Sequence, residues 1–184
     1  MKGTQFKSGA RTLACVLFSI VAASHLGAAN MRSFIEAVRR KAAVVYVGSV
    51  KEVRILERTK FDIRARAVVT VSAVARGPGN GTTEAIFDYS SYDDQTPMLA
   101  GGPQYQIRPD MMVIAFTESF RSHIPPGYLL FGSREELLER VRALRKNLEH
   151  MSADELKRNE IDEEDRQVQI ALYDKLLGDL GPRP

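Results

Sequence analysis

Cysteine and tryptophan are almost missing from this chain of 184 residues, which has one cysteine, Cys15, and no tryptophan. A single cysteine cannot form an intrachain disulfide or a thiolate cluster, so a disulfide-stapled fold and a multi-cysteine zinc site are excluded. Histidine is also scarce, with three in the whole chain. Because histidine is the usual general base near neutral pH, few residues are candidates for acid–base catalysis.

The first 29 residues have the pattern of a secretory signal peptide. Basic residues precede an apolar run at 12–26, and the small residues at 27–29 suit a cleavage site. The run is short for a membrane span, whereas it suits the apolar core of a signal peptide. We therefore expect export to the periplasm or the extracellular space, a chain that begins at Asn30, and no stable membrane insertion after cleavage.

Removal of this leader would change the charge of the protein. The leader carries Lys2, Lys7 and Arg11, no acidic residue, and the only cysteine, which leaves 23 basic and 23 acidic residues from Asn30 onward. The net charge of +3 therefore belongs to the leader. A chain without excess positive charge lacks the electrostatic signature of nucleic-acid binding, so we expect no nucleic-acid partner.

Period-two patterns predict strands after the leader. Residues 43–50 are rich in β-branched side chains, and residues 61–75 alternate over a length typical of a strand coiled around a core. Shorter stretches at 84–89, 110–117 and 128–131 predict three more strands, and the fully apolar character of 110–117 indicates burial on both faces. We expect a mainly β fold with helices, built on a small five-stranded antiparallel barrel.

Helical patterns lie on both sides of these strands. Residues 32–41 predict a short N-terminal helix. After Gly132, capping boxes at Ser133 and Ser152 predict two helices, the second running toward Leu180. We expect these two helices to form a C-terminal hairpin that packs partly on the barrel.

Three motifs in order resemble the netrin-like, or tissue-inhibitor-of-metalloproteinases-like, OB-fold domains of exported bacterial proteins. They are Val-x-Val-Gly-x-Val at 45–50 after the leading helix, the alternating strand that ends at Gly77, and the apolar strand at 109–116. The resemblance covers about half the chain and implies an OB-like barrel. Animal inhibitors of this family bind the protease zinc through an N-terminal cysteine, which the chain from Asn30 lacks, so no functional residue transfers.

The chain therefore divides into three predicted parts. They are a signal peptide at 1–29, an OB-like barrel domain with its leading helix at 30–132, and a helical hairpin at 133–184. No catalytic residue, metal ligand set or cofactor motif is indicated in any of them.

The densest candidate chemistry is an acidic loop with interleaved tyrosines. Its residues are Asp88, Tyr89, Tyr92, Asp93 and Asp94. Carboxylates in one flexible loop can bind a hard cation such as calcium, although the ligand spacing of an EF-hand is missing. The alternative interpretation is a solvated acidic turn. If a carbohydrate or peptide is bound, these tyrosine rings are the first candidates to stack on it.

His123 is the other candidate ligand-binding residue. It lies in a loop predicted before the last strand, beside Ser122, where a surface position is the alternative interpretation. Neighbouring side chains in an extended segment point apart, so a catalytic triad with Ser122 is not expected. His150, at the junction of the two C-terminal helices, fits a structural role at a helix end.

These observations favour a non-enzymatic exported protein that binds another protein or an envelope component. The alternative is a cation-dependent binder or hydrolase that uses the loop from Asp88 to Asp94. A third hypothesis is an accessory role in which the helical hairpin drives self-association.

Overall fold

A computed structural model describes residues 34–79, 81–96, 105–123 and 128–181. The chain divides into two compact units, Met1–Glu36 and Ala37–Pro184. Of the first unit, the described residues 34–36 form the start of a helix. The leader expected over 1–29 lies outside the described residues.

The described residues form a mixed α/β fold with six strands and four helices. The strands are β1 (Val44–Arg58), β2 (Ile63–Arg76), β3 (Glu84–Ser91), β4 (Met112–Thr117), β5 (Arg121–His123) and β6 (Leu129–Gly132). The helices are α1 (residues 34–41), α2 (Arg134–Glu149), α3 (Ala153–Arg158) and α4 (Glu163–Leu180).

The strands make one sheet in the order β5-β3-β2-β1-β4-β6. This corrects the expected five-stranded antiparallel barrel in three respects. There are six strands, β5 pairs with β3 in parallel, and among the described strands the edges β5 and β6 do not pair, so the sheet is open. The sequence Arg-Ser-His of β5 has no strand pattern of its own, and its pairing with Ile86–Asp88 makes it a strand.

The sheet is strongly curled, as the connection from β4 to β5 shows. These strands are four steps apart in the sheet, which in a flat sheet is about 19 Å at roughly 4.8 Å per step. Only four residue steps join Thr117 to Arg121, and these reach about 14 Å at most. The sheet must therefore bend its two sides toward each other. In agreement, the ring centroids of Phe120 and of Tyr46 in β1 lie 5.5 Å apart, and Phe120 O accepts a hydrogen bond from Ile86 N in β3.

Each face of the curled sheet covers its own hydrophobic core. Alternation along β4 sends Val113 to one core and Ile114 to the other, which confirms that this strand is buried on both faces. The inner core consists mainly of side chains from the sheet, with Tyr46, Phe87 and Tyr89 among them, and Tyr105 and Ile107 join it from the segment before β4. The outer core joins the sheet to the helices, with Val45, Val47, Phe116, Leu137, Val141, Leu172 and Leu176 among its members.

Capping residues explain where the C-terminal helices begin. Both predicted capping boxes are present, because the side chains of Ser133 and Ser152 accept from the backbone of the third helical residue. The second predicted helix is, however, two helices. The backbone of Glu160 adopts a positive φ of 53°, and Asp162 then caps α4, so α3 ends after six residues.

Helices α2 and α4 run antiparallel and lie on the outer face of the sheet. Arg134, at the start of α2, donates to Leu180 O at the end of α4, while Arg166 near the start of α4 donates to Leu148 O near the end of α2. Residues of both helices share the outer core with the sheet, and α3 lies between them in the chain. No described helix is both long and apolar enough to cross a membrane.

Candidate functional site

Asp88 lies on β3 and is held by a bidentate ion pair. Arg66, its register partner on β2, donates from Nε at 2.7 Å and from Nη2 at 3.0 Å. These hydrogen bonds stabilise the carboxylate, so they hold the pKa of Asp88 below its usual range. Both oxygens of Asp88 therefore serve a cross-strand contact.

Asp93 is fixed in the same manner by a residue from the end of β1. Arg58 donates to both carboxylate oxygens at 2.7 Å, and the backbone N–H groups of Gln95 and Thr96 donate to Oδ1 at 3.0 and 2.9 Å. The bond from Arg58 is the largest cause that lowers the pKa of Asp93 to about 2. The acidic loop is thus a turn tied to the β1–β2 hairpin.

The remaining loop candidates have different surroundings. Tyr89 is 1 % exposed, with its ring packed against Phe87 and Tyr105 in the inner core, and this burial raises the pKa of its hydroxyl to about 12. A ring at this position cannot stack on a ligand from solution. Tyr92 is half-buried and Asp94 is exposed.

The structure does not bring the loop carboxylates together as a cation site. Asp88 and Asp93 each face an arginine, and an arginine beside a carboxylate repels a bound cation. Within residues 34–79, 81–96, 105–123 and 128–181, no group of three or more His, Cys, Asp or Glu side chains is placed to hold a metal ion.

The Arg58–Asp93 pair predicts a specific pH dependence. Because the folded pKa of Asp93 is about 2 and the unfolded one about 3.9, its stabilising effect is complete above about pH 4 and is lost as the pH falls toward 2. We expect Asp93→Asn to lower the urea midpoint near neutral pH, and the difference from wild type to narrow between about pH 4 and pH 2. Urea unfolding at several pH values measures this difference.

The adjacent substitution Asp94→Asn is the matched control for that experiment. Asp94 has no ion-pair partner within the described part of the chain, so its removal should change the midpoint little at any pH. Equal midpoint differences for Asp93→Asn at neutral and acid pH would contradict the ion-pair assignment.

A cleft of about 550 Å³ lies beside the β4–β5 connection. Its walls come from the end of α1, the end of β4, the turn that follows, β5 and Tyr128. The described lining residues are Val38, Lys41, Ala42, Phe116, Thr117, Glu118, Ser119, Arg121, Ser122, His123 and Tyr128. Apolar side chains make one part of this lining, and polar and charged side chains make the rest.

Hydroxyl groups fix the turn that forms one wall of the cleft. Thr117 Oγ1 donates to Ser119 O at 2.8 Å, and Ser119 Oγ donates to Arg121 O at 2.6 Å. Phe116 extends from the preceding strand into the outer core, with the Arg39 guanidinium 5.5 Å from its ring centroid. Because these contacts are made before any ligand arrives, little entropy is lost in forming this wall.

His123 lines this cleft and belongs to a strand, not to the loop predicted before the last strand. It is the last residue of β5 and stands beside Asp88 in register, where it is exposed. Ser122 precedes it, and its Oγ is buried without a hydrogen-bond partner. Since the burial alternates along β5, the two side chains face opposite sides, which leaves no serine–histidine dyad.

The comparisons with known proteins add no functional residue. No protein-family model and no curated protein sequence matches this chain. The cleft is therefore assigned from the geometry of the described residues alone.

Most cleft residues carry no signal in the sequence. Val38 and Lys41 belong to α1, more than seventy positions before Phe116, and only the curl of the sheet and the packing of α1 bring them together. His123 is the exception. Its chemistry made it a candidate ligand-binding residue from the sequence, and it does line the cleft.

Proposed function

We propose that this chain is an exported, non-enzymatic binding protein that contacts a ligand or an envelope component through the cleft beside β4 and β5. The observation that carries the proposal is the concave site of about 550 Å³ whose described lining contains both apolar and charged residues. Ligand sites in proteins are concave, mostly apolar and about 300–1,000 Å³ in volume, with a few polar groups that orient the ligand.

Export is proposed from the order of basic, apolar and small residues over 1–29. The composition after the leader supports it, because a chain without cysteine folds without any redox requirement in an oxidising compartment. The proposed location is the periplasm or the extracellular medium.

An OB-like, partly open barrel of the netrin-like type is the fold that we propose for β1 to β5. Three features support it: a meander from β1 to β3, the pairing of β1 with both β2 and β4, and the short connection that draws β5 toward β4. Strand β6 then extends the sheet beyond β4. No residue role is transferred with this fold.

A neutral apolar dye tests the binding function. The protein is expressed from its full-length sequence, so that any processing precedes purification, and it is titrated with Nile red. We expect saturable binding to the wild-type protein and at least about a tenfold loss for Val38→Trp, because the indole would fill the space beside Phe116. Fluorescence of the dye measures both affinities.

Val168→Trp is the matched control for this substitution. Val168 is 54 % exposed on α4 and does not line the cleft, so the same change there should leave dye binding unaltered. Equal binding by both variants and the wild type would place the dye elsewhere and contradict the proposal. Circular dichroism verifies that each variant is folded.

A further inference from the structure

Two exposed cations stand in the lining of the cleft with a single carboxylate. Lys41 and Arg121 are the cations, and Glu118 is the carboxylate. Within the described part of the chain, none of the three makes an ion pair. Among the described lining residues positive charge is therefore in excess, and the rim does not neutralise itself as the β1–β2 hairpin does through Arg58 and Arg66.

Part of the wall of the cleft is apolar. Half-buried Val38 on α1 and half-buried Tyr128 expose apolar surface there, whereas Ala42 and Phe116 are 8 % and 1 % exposed. Ala42 and Phe116 also belong to the outer core, which holds this wall in place. Occupation by a hydrocarbon group would remove water from this wall, which is favourable in proportion to the area covered.

We propose that the cleft binds an amphipathic carboxylate, with its hydrocarbon part against Val38 and Tyr128 and its carboxylate at Lys41 and Arg121. The inference rests on the proposed binding function and adds the ligand class. Arg121 matches a carboxylate with two parallel N–H donors, and Lys41 adds a second positive charge. The excess positive charge of the described lining favours an anion over a cation with a hydrocarbon chain of the same length.

Three probes with equal hydrocarbon chains separate the contribution of the ligand's charge from that of its hydrocarbon chain. They are octanoate, the neutral octanamide and octylammonium, each titrated into the protein below micelle formation and monitored by amide chemical shifts and calorimetry. We expect octanoate to bind about tenfold more tightly than octanamide, and octylammonium to bind least. The preference for octanoate should shrink as sodium chloride is raised, because salt screens charges at an exposed rim.

Charge reversal identifies the residue that supplies the preference. Arg121→Glu should remove the advantage of octanoate over octanamide and leave the affinity for octanamide within about twofold. Arg142→Glu, the same change at an exposed position of α2 outside the cleft, is the matched control and should retain the full advantage. The salt series on the wild-type protein requires no variant, so a folding defect in Arg121→Glu would not prevent the test.

Each outcome decides between the two proposals. Tighter binding of octanoate, with shifts at the cleft and loss in Arg121→Glu, supports the carboxylate assignment. Equal binding of octanoate and octanamide at the cleft would overturn that assignment and leave the binding function in place. Preference for octylammonium would also overturn it, with Glu118 as the deciding charge. Shifts elsewhere, or no binding by any probe together with no Nile red binding, would contradict both proposals.

Discussion

Replacing Gly48 with alanine is expected to lower the free energy of unfolding by about 2–3 kcal/mol. Gly48 lies in β1 where this strand pairs with both β2 and β4. A Cβ atom there would overlap Val69 Cγ1 and would lie 2.6 Å from Thr70 O. A backbone carbonyl in a paired strand cannot move away without loss of sheet hydrogen bonds, so the added methyl group forces the strands apart.

Gly178→Ala is the matched control for Gly48→Ala. In the last turns of α4, a Cβ on Gly178 would meet no atom within 4 Å, and alanine favours the helix over glycine. This change should raise the free energy of unfolding by about 0.5 kcal/mol. Thermal unfolding measures both variants. A stability of Gly48→Ala equal to wild type would contradict the close approach of β1 and β2 at this point.

Replacing Leu176 with alanine is expected to cost about 3–4 kcal/mol. Leu176 is 0 % exposed on α4 and belongs to the outer core that joins α2 and α4 to Val47 and Ile114 of the sheet. Its removal leaves a cavity between helices and sheet. Because the helices and the sheet share this core, we expect the unit Ala37–Pro184 to unfold in a single transition that is shifted to lower urea.

Two probes of urea unfolding test that cooperativity. Far-UV circular dichroism follows the helices, and amide exchange at Ile114 follows the sheet. Both should report the same decrease in the free energy of unfolding. Leu56→Ala, at a position 42 % exposed on β1, is the control and should change stability by about 0.5 kcal/mol or less. Unfolding of the helices at lower urea than the sheet would contradict the shared core.

Local signals predicted much of the secondary structure. The alternation over 61–75 anticipated β2 to within two residues at each end, because its inward positions Ile63, Ala65, Ala67 and Val69 are all buried. The capping boxes at Ser133 and Ser152 located two helix starts, since a cap is a contact within four residues. Features of this kind need no tertiary information.

Features that depend on distant contacts were missed. The extension of β1 from 51 to 58 gave little sign of a strand, because only Val53 packs against a core there and Ile55 and Leu56 are exposed. Strand β5 exists through its pairing with residues of β3 that lie 35 positions earlier. The expected barrel therefore lacked its sixth strand and its parallel pair.

The candidate site also has features that the local sequence predicted and features that depend on distant contacts. Residue chemistry selected His123, which lines the cleft, and the acidic loop, whose two main carboxylates serve arginines of other strands. Arg58 lies 35 positions from Asp93, and Arg66 lies 22 positions from Asp88, so their pairing cannot be derived from the loop itself. A dense acidic sequence is in this case explained by cross-strand ion pairs.

The most direct test of the proposed function is ligand capture from the exported fraction of the source organism. Wild-type protein, Val38→Trp and Val168→Trp are immobilised, and retained molecules are identified by mass spectrometry. We expect that the same fraction contains this chain beginning at Asn30, and that wild type and Val168→Trp retain a shared ligand that Val38→Trp loses. Identical retention by all three proteins, or retention by none, would contradict a binding function at this cleft.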